Sequence, residues 1–127
     1  MQDISDEAFS ALISRAMDEL PEKYIRGLDN VVVTYEDEPT PQQRVEMKLR
    51  GTETLFGLYQ GIPLTKRGAG YNLVLPDKIT IFKLPMLHAT HDDASLYAQV
   101  KHTLWHEIAH YYGLDHDRIH EIERNWQ

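Results

Sequence analysis

His106-Glu107-Ile108-Ala109-His110-Tyr111-Tyr112-Gly113-Leu114-Asp115-His116 is the stretch around which the rest of the chain is organised. On a helix, His106 and His110 stand one turn apart on the same side, a spacing at which two imidazoles grip one metal ion. Glu107 lies about 100° further round the helix. It is poorly placed as a ligand in line with both histidines, but it can reach a water in the metal's open position and act as general base. Gly113 then supplies a residue that takes positive φ and ends the helix in a tight turn. The chain doubles back, and His116 arrives as a third ligand. Three protein ligands plus one water form a catalytic zinc site rather than a closed structural one.

A bare H-E-x-x-H arises by chance often enough in a chain with seven histidines. Requiring Gly and His at the following three-residue steps makes coincidence rare. The plain alternative, a helix whose histidines only pack or face solvent, leaves Glu107 and Gly113 without a reason.

All seven histidines lie after Leu87, and they have to be sorted. His102, His106 and His110 fall at successive four-residue steps on one helix face. His102 and His110 are about 12 Å apart along the axis, too far for both to reach one ion at about 2 Å. Only the 106/110 pair has a glutamate after its first histidine and a glycine turn after its second, so His102 is a neighbour of the site or simply exposed. His88 and His91 have no ligand-like spacing and read as loop residues. His120, Glu121 and Glu123 are rivals to His116 for the third position, and the glycine turn favours His116.

Composition bounds the reading. A chain of 127 residues with 42% hydrophobic and 26% charged residues is expected to fold as one soluble domain, residues 1–127, around a single core. A net charge of −7 argues against a nucleic-acid partner, which calls for a basic face. No cysteine is present, so disulfides and thiolate ligands are excluded, and histidine and carboxylate are the metal chemistry that remains. Absence of disulfides fits a cytoplasmic location. The acidic start, Met1–Asp6, does not read as a secretory signal. The uncharged stretch Leu55–Thr65 is about half the ~20 residues that cross a bilayer, so no membrane association is expected.

Along the chain, Phe9, Leu12, Ile13, Ala16, Met17 and Leu20 recur at helical steps, with Ser5 as N-cap and Pro21 as stop. Asn30–Tyr35 is β-branched and aromatic, hence a strand. Glu36–Gln43 has the prolines and charges of an exposed loop, and Arg44–Arg50 is too short and mixed to assign. Thr52–Pro63 reads as a short strand or an irregular apolar segment near other backbone. Lys66–Tyr71 reads as a turn whose two cations could attract a substrate carboxylate. Asn72–Leu75 is expected to be extended, with Pro76-Asp77 as a turn pair. Lys78–Leu84 is a second strand closed by Pro85, and Met86–His91 is a loop feeding the long helix. Thr90 or Asp92 caps that helix, and Leu96, Val100, Leu104 and Ile108 form its buried stripe.

The motif matches the extended H-E-x-x-H-x-x-G-x-x-H signature of the metzincin branch of zinc metallopeptidases. More closely, the chain resembles the small bacterial zincin-like metallopeptidases of minimal-zincin type. The segments that carry the resemblance are Leu55–Arg67, Leu75–Pro85, Trp105–His110 and Gly113–Arg118. In that family the third-ligand position is Asp or His; here it is His116. True metzincins place a Met-containing turn downstream of the third ligand, and no Met follows His116.

The expected fold is α+β and zincin-like, with a small sheet packed against an N-terminal helix and the long site helix. The resemblance implies an edge strand beside the site helix, to which a substrate peptide pairs. The expected activity is metal-assisted hydrolysis of a peptide or protein substrate. Zn2+ is held by His106, His110 and His116, and Glu107 takes the water's proton. Tyr71, Tyr112 and Arg118 are candidates for a further donor to the oxyanion. A zincin-fold module that holds zinc with little hydrolysis is the second reading. A metal-free interaction domain is the third.

Overall fold

The computed structural model describes residues 3–68 and 75–126. Helix α1 spans Asp6–Glu19, opened by the Ser5 hydroxyl accepting from the Ala8 amide. Its apolar stripe buries Phe9, Ile13 and Ala16, and the chain leaves the helix at Leu20, ahead of Pro21. A short α2, Glu22–Arg26, follows. Strand β1, Val31–Glu36, includes the first acidic residue of the expected loop.

Residues 37–40 form the expected loop, but its end folds differently from expectation. Pro41–Glu46 is a helix, α3, with Thr40 as N-cap. Thr40 and Gln43 cap each other reciprocally, and Pro41 stands at the first helical position, where its missing N–H costs nothing. After a turn comes β2, Gly57–Gln60, which makes the middle of the ambiguous apolar segment an edge strand. A single 3₁₀ turn, Leu64–Lys66, follows. Most of the expected extended piece Asn72–Leu75 lies outside the described residues.

Strand β3 runs Asp77–Phe82, two residues shorter at its end than the sequence suggested. Lys83–Ala89 is a helix, α4, and not the expected continuation of the strand followed by a loop. Pro85 does not close the strand. It sits in the first turn of α4, where no intrahelical acceptor is needed from its nitrogen. Thr90 ends this helix, its hydroxyl donating to Met86 O, so Asp92 is the residue that caps α5. Asp92 and Ser95 cap reciprocally, and α5 runs Asp93–Tyr112. After Gly113, Asp115 caps α6, His116–Asn125.

The strand order is β1-β3-β2, with β1 parallel and β2 antiparallel to β3. Six α-helices and this three-stranded sheet give the expected α+β fold among the described residues. The core joins α1, the sheet and α5: Phe9, Ile13 and Ala16 meet Ile79 and Ile81 together with Leu96, Val100, Leu104 and Ile108. Burying each such leucine, isoleucine or valine side chain is worth about 1.5–3 kcal/mol, and α5 contributes more core residues than any other element. The site helix is therefore the central strut of the core, and its motif cannot shift without the core shifting.

Candidate metal centre

In the last two turns of α5, beside β2, His106 and His110 are part-exposed while Trp105, Ile108, Ala109 and Tyr111 are buried. Two glycines permit this arrangement. A Cβ on Gly57 would stand 2.6 Å from Thr103 Cγ2 and 3.2 Å from Glu107 Cγ, so glycine lets β2 approach the helix. Gly113 adopts φ 72°, and a Cβ there would stand 2.3 Å from Thr65 Oγ1. The turn after the second histidine thus requires glycine twice over, for its backbone and for its neighbour.

His106 and His110 have ring centroids 4.6 Å apart, and His116 at the first turn of α6 lies 5.9 Å from His106. The donor atoms of His106, Glu107 and His110 all lie within 4.8 Å of one another. His116 stands outside that tightest group, and it is exposed. Glu107 is 7% exposed, and its Oε1 is 3.2 Å from His110 Nδ1. The carboxylate thus comes closer to both rings than its offset of about 100° round the helix suggests. Imidazoles and a carboxylate at this range suit a first-row divalent ion, and these residues fit a metal centre.

The electrostatics divide the two histidines. Burial pushes the His106 imidazole below its ordinary value, partly opposed by the Glu107 carboxylate. His110 is pushed up, first by its hydrogen bond to Glu107 and against its own burial. His106 is thereby kept neutral and ready to donate a lone pair, whereas a metal at His110 competes with the proton shared with Glu107.

The other histidines and acids fall into place around this pair. His102 Nδ1 pairs with the largely buried Glu123 carboxylate of α6, and its ring is 6.4 Å from His106. Both roles left open for His102 hold: it is half-exposed and adjacent to the site. Glu123 is spent on His102, and Glu121 pairs with Arg118 along α6. His120 is exposed on the same helix, and His91 is exposed before α5, whereas His88 belongs to α4. Of the oxyanion candidates, Tyr112 donates its phenol to Tyr24 O at 2.5 Å, which commits it elsewhere. Arg118 faces a separate cavity with Pro21, Tyr24 and Trp126, and Tyr71 lies outside the described residues.

Two residues near the site escaped sequence reasoning. Asp77, read as a turn residue, is buried and accepts from Tyr59 Oη at 2.5 Å and from Arg67 Nη2 at 2.6 Å. Arg67 is accordingly a structural cation and not a substrate anchor. The signal for Asp77 was its position directly before an apolar strand. Thr65, which fills the space beside Gly113, carried no signal.

Two half-buried histidines one helical turn apart around a buried glutamate, set beside the outer strand of a small mixed sheet, define a zincin-like arrangement. Residues 28–126 match the zincin-like metallopeptidase family, and the chain belongs to that family. A solved structure of a conserved hypothetical protein from Thermus thermophilus is similar in fold, with TM-score 0.59 and 27% sequence identity. The match covers 86% of this chain and 94% of that one. No curated protein matches the chain.

Proposed function

We propose that the chain is a single zincin-like domain, residues 1–127, acting as a zinc-dependent metallopeptidase on a peptide or protein substrate. His106, His110 and His116 hold the ion, and Glu107 is the general base. The observation that carries this reading is the mutual 4.8 Å grouping of His106, Glu107 and His110 donor atoms, with Glu107 at the buried end. A bound zinc supplies a Lewis acid and brings the pKa of an attached water toward about 7. Glu107 accepts the proton of the attacking water and delivers it to the leaving amine. The half-buried His106 contributes a neutral ring, and β2 offers an outer strand on which an extended substrate pairs by its backbone. An acidic chain without cysteine accords with a soluble cytoplasmic protein that engages neither nucleic acid nor membrane. Among the described residues no helix is long and apolar enough to cross a membrane.

The second reading is a zinc-holding module with little hydrolytic activity. One observation favours it: the Glu107 carboxylate is engaged by His110 rather than free in the cleft. Glu107→Gln separates the two. It keeps the size of the side chain and removes its basicity, so cleavage of a mixed peptide library should fall by at least ~10²-fold. Zinc content, measured on the same samples, should stay near wild type. Cleavage that is unchanged by the substitution removes Glu107 as base. A wild type that holds zinc and cleaves nothing supports the module.

A further inference from the structure

Two cavities flank the motif, one on each side, and their walls differ in chemistry. The first, about 460 Å³, reaches His106 and Glu107 and is walled by Leu55, Phe56 and Thr103. The second, about 360 Å³, reaches His110 and Gly113 and is walled by Tyr59, Pro63 and Lys66. β2 joins them, since Gly57 lines the first and Tyr59 the second.

Lys66 differs from its neighbour in one decisive respect. Arg67 is bound by the Asp77 carboxylate and by Ile62 O. The Lys66 side chain forms no hydrogen bond or ion pair with any described residue, and it is exposed at the cavity wall. Among the described residues no acidic side chain lines the cavity that Lys66 borders, and of the acids on the neighbouring elements Asp77 is engaged by Tyr59 and Arg67, and Glu107 by His110. In a chain of net charge −7, an uncommitted cation beside the histidines is a local reversal of sign. An exposed ammonium of this kind attracts a carboxylate and repels a cation.

Strand direction decides which side of the scissile bond meets which wall. β2 runs from Gly57, against Thr103 and Glu107, to Gln60, ahead of the Lys66 turn. An added strand pairs slightly better antiparallel than parallel. An antiparallel peptide has its amino-terminal side at Lys66 and its carboxyl-terminal side at Leu55 and Phe56. We infer that the substrates of this site carry an acidic side chain on the amino side of the scissile bond and a bulky apolar side chain on its carboxyl side. Lys66 reads the first, and Leu55 with Phe56 reads the second. This inference rests on the peptidase reading for its chemistry, but the recognition it describes is separable from cleavage.

The test uses zinc-loaded full-length protein and a set of C-terminally amidated peptides. The amino-side residue is Glu, Gln or Lys, and the carboxyl-side residue is Leu or Gly. A free-acid copy of the Gln peptides adds a terminal carboxylate. Two quantities are read: kcat/KM with wild type, and equilibrium binding of the same peptides to Glu107→Gln. Glu should exceed Lys by on the order of ten-fold, an advantage that shrinks with salt. Leu should exceed Gly by at least about ten-fold. Lys66→Glu should invert the charge order while leaving zinc content and the Leu preference as they were, and Lys66→Gln should flatten it. If wild type cleaves nothing, the peptidase reading fails, and the binding order alone decides the inference. A charge order indifferent to Lys66 overturns it, as does a preference satisfied only by the free terminal carboxylate.

Discussion

Two polar clusters lie within a few residues of each other in space and are built on opposite principles. Tyr59, Asp77 and Arg67 form a closed set: the Asp77 side chain is 4% exposed, the Arg67 side chain is 9% exposed, and the Asp77 carboxylate accepts from both Tyr59 and Arg67. The Arg67 guanidinium also lies over the ring of Tyr111, the residue after His110. His106, His110 and His116 form an open set. His110 is 40% exposed, and among the described residues no hydrogen bond uses the His106 ring nitrogens. The first cluster bolts the β2–β3 side of the sheet to the turn after β2, and the second stands on α5, which the core holds. Polar groups that satisfy one another stabilise a fold, whereas polar groups held together and left with spare lone pairs are available to a ligand.

Breaking the closed cluster should have the larger effect on stability. Asp77→Ala leaves the Arg67 guanidinium without its carboxylate and the Tyr59 phenol without its acceptor. Loss of one partner from a buried ion pair costs about 3–5 kcal/mol, which chemical denaturation reads directly. Zinc uptake by the folded fraction should be retained. If Asp77→Ala is no less stable than wild type, the cluster is not a bolt.

A smaller effect sharpens the same comparison through pH. Burial and the hydrogen bond to Asp77 push the Tyr59 phenol well above its ordinary 10, and burial with the bond to Glu19 pushes Tyr97 up to about 12. Folded Tyr59 therefore keeps its proton where the unfolded chain has lost it. Above about pH 10 the unfolded state binds fewer protons, so stability is full below that pH and declines as pH rises toward the folded values. Tyr59→Phe should make the decline between about pH 10 and 12 shallower, with Tyr97 and Tyr112, which burial also pushes up, supplying the remainder. A slope equal in wild type and Tyr59→Phe would place the alkaline sensitivity elsewhere.

The open cluster was far more legible in sequence than the closed one, for a physical reason. His106, Glu107, His110 and Gly113 are related by helical repeat and a turn, which are local rules, and α5 obeys them. The buried stripe Leu96, Val100, Leu104 and Ile108 was legible for the same reason. The Asp77 cluster joins residues 10 and 18 positions apart through tertiary packing, which no local pattern encodes. Helices α2, α3, α4 and α6 were not read from the sequence, although for α3 and α4 a local signal existed. Thr40-Pro41-Gln42-Gln43 is a capping-box sequence that the neighbouring charges obscured, and Pro85 was taken as a stop when it sits in the first turn of a helix. The division of Lys66 from Arg67 depends on which of them reaches Asp77, and adjacent cations look alike in sequence.

On the proposed function, the open cluster holds a metal through its 106/110 pair, with His116 completing the site. The direct measurement is the zinc content and coordination of protein purified without added metal, in wild type and in His102→Ala, His110→Ala, His116→Ala and His116→Asp. Wild type and His102→Ala should each carry about one zinc with nitrogen-rich coordination. His110→Ala should lose most of it. His116→Ala should bind weakly, and His116→Asp should retain much of the metal, since carboxylate oxygen also ligates zinc. Equal loading of wild type and His116→Ala would move the third ligand away from His116. A His102→Ala protein that comes out empty while His110→Ala stays loaded would contradict the 106/110 pair itself.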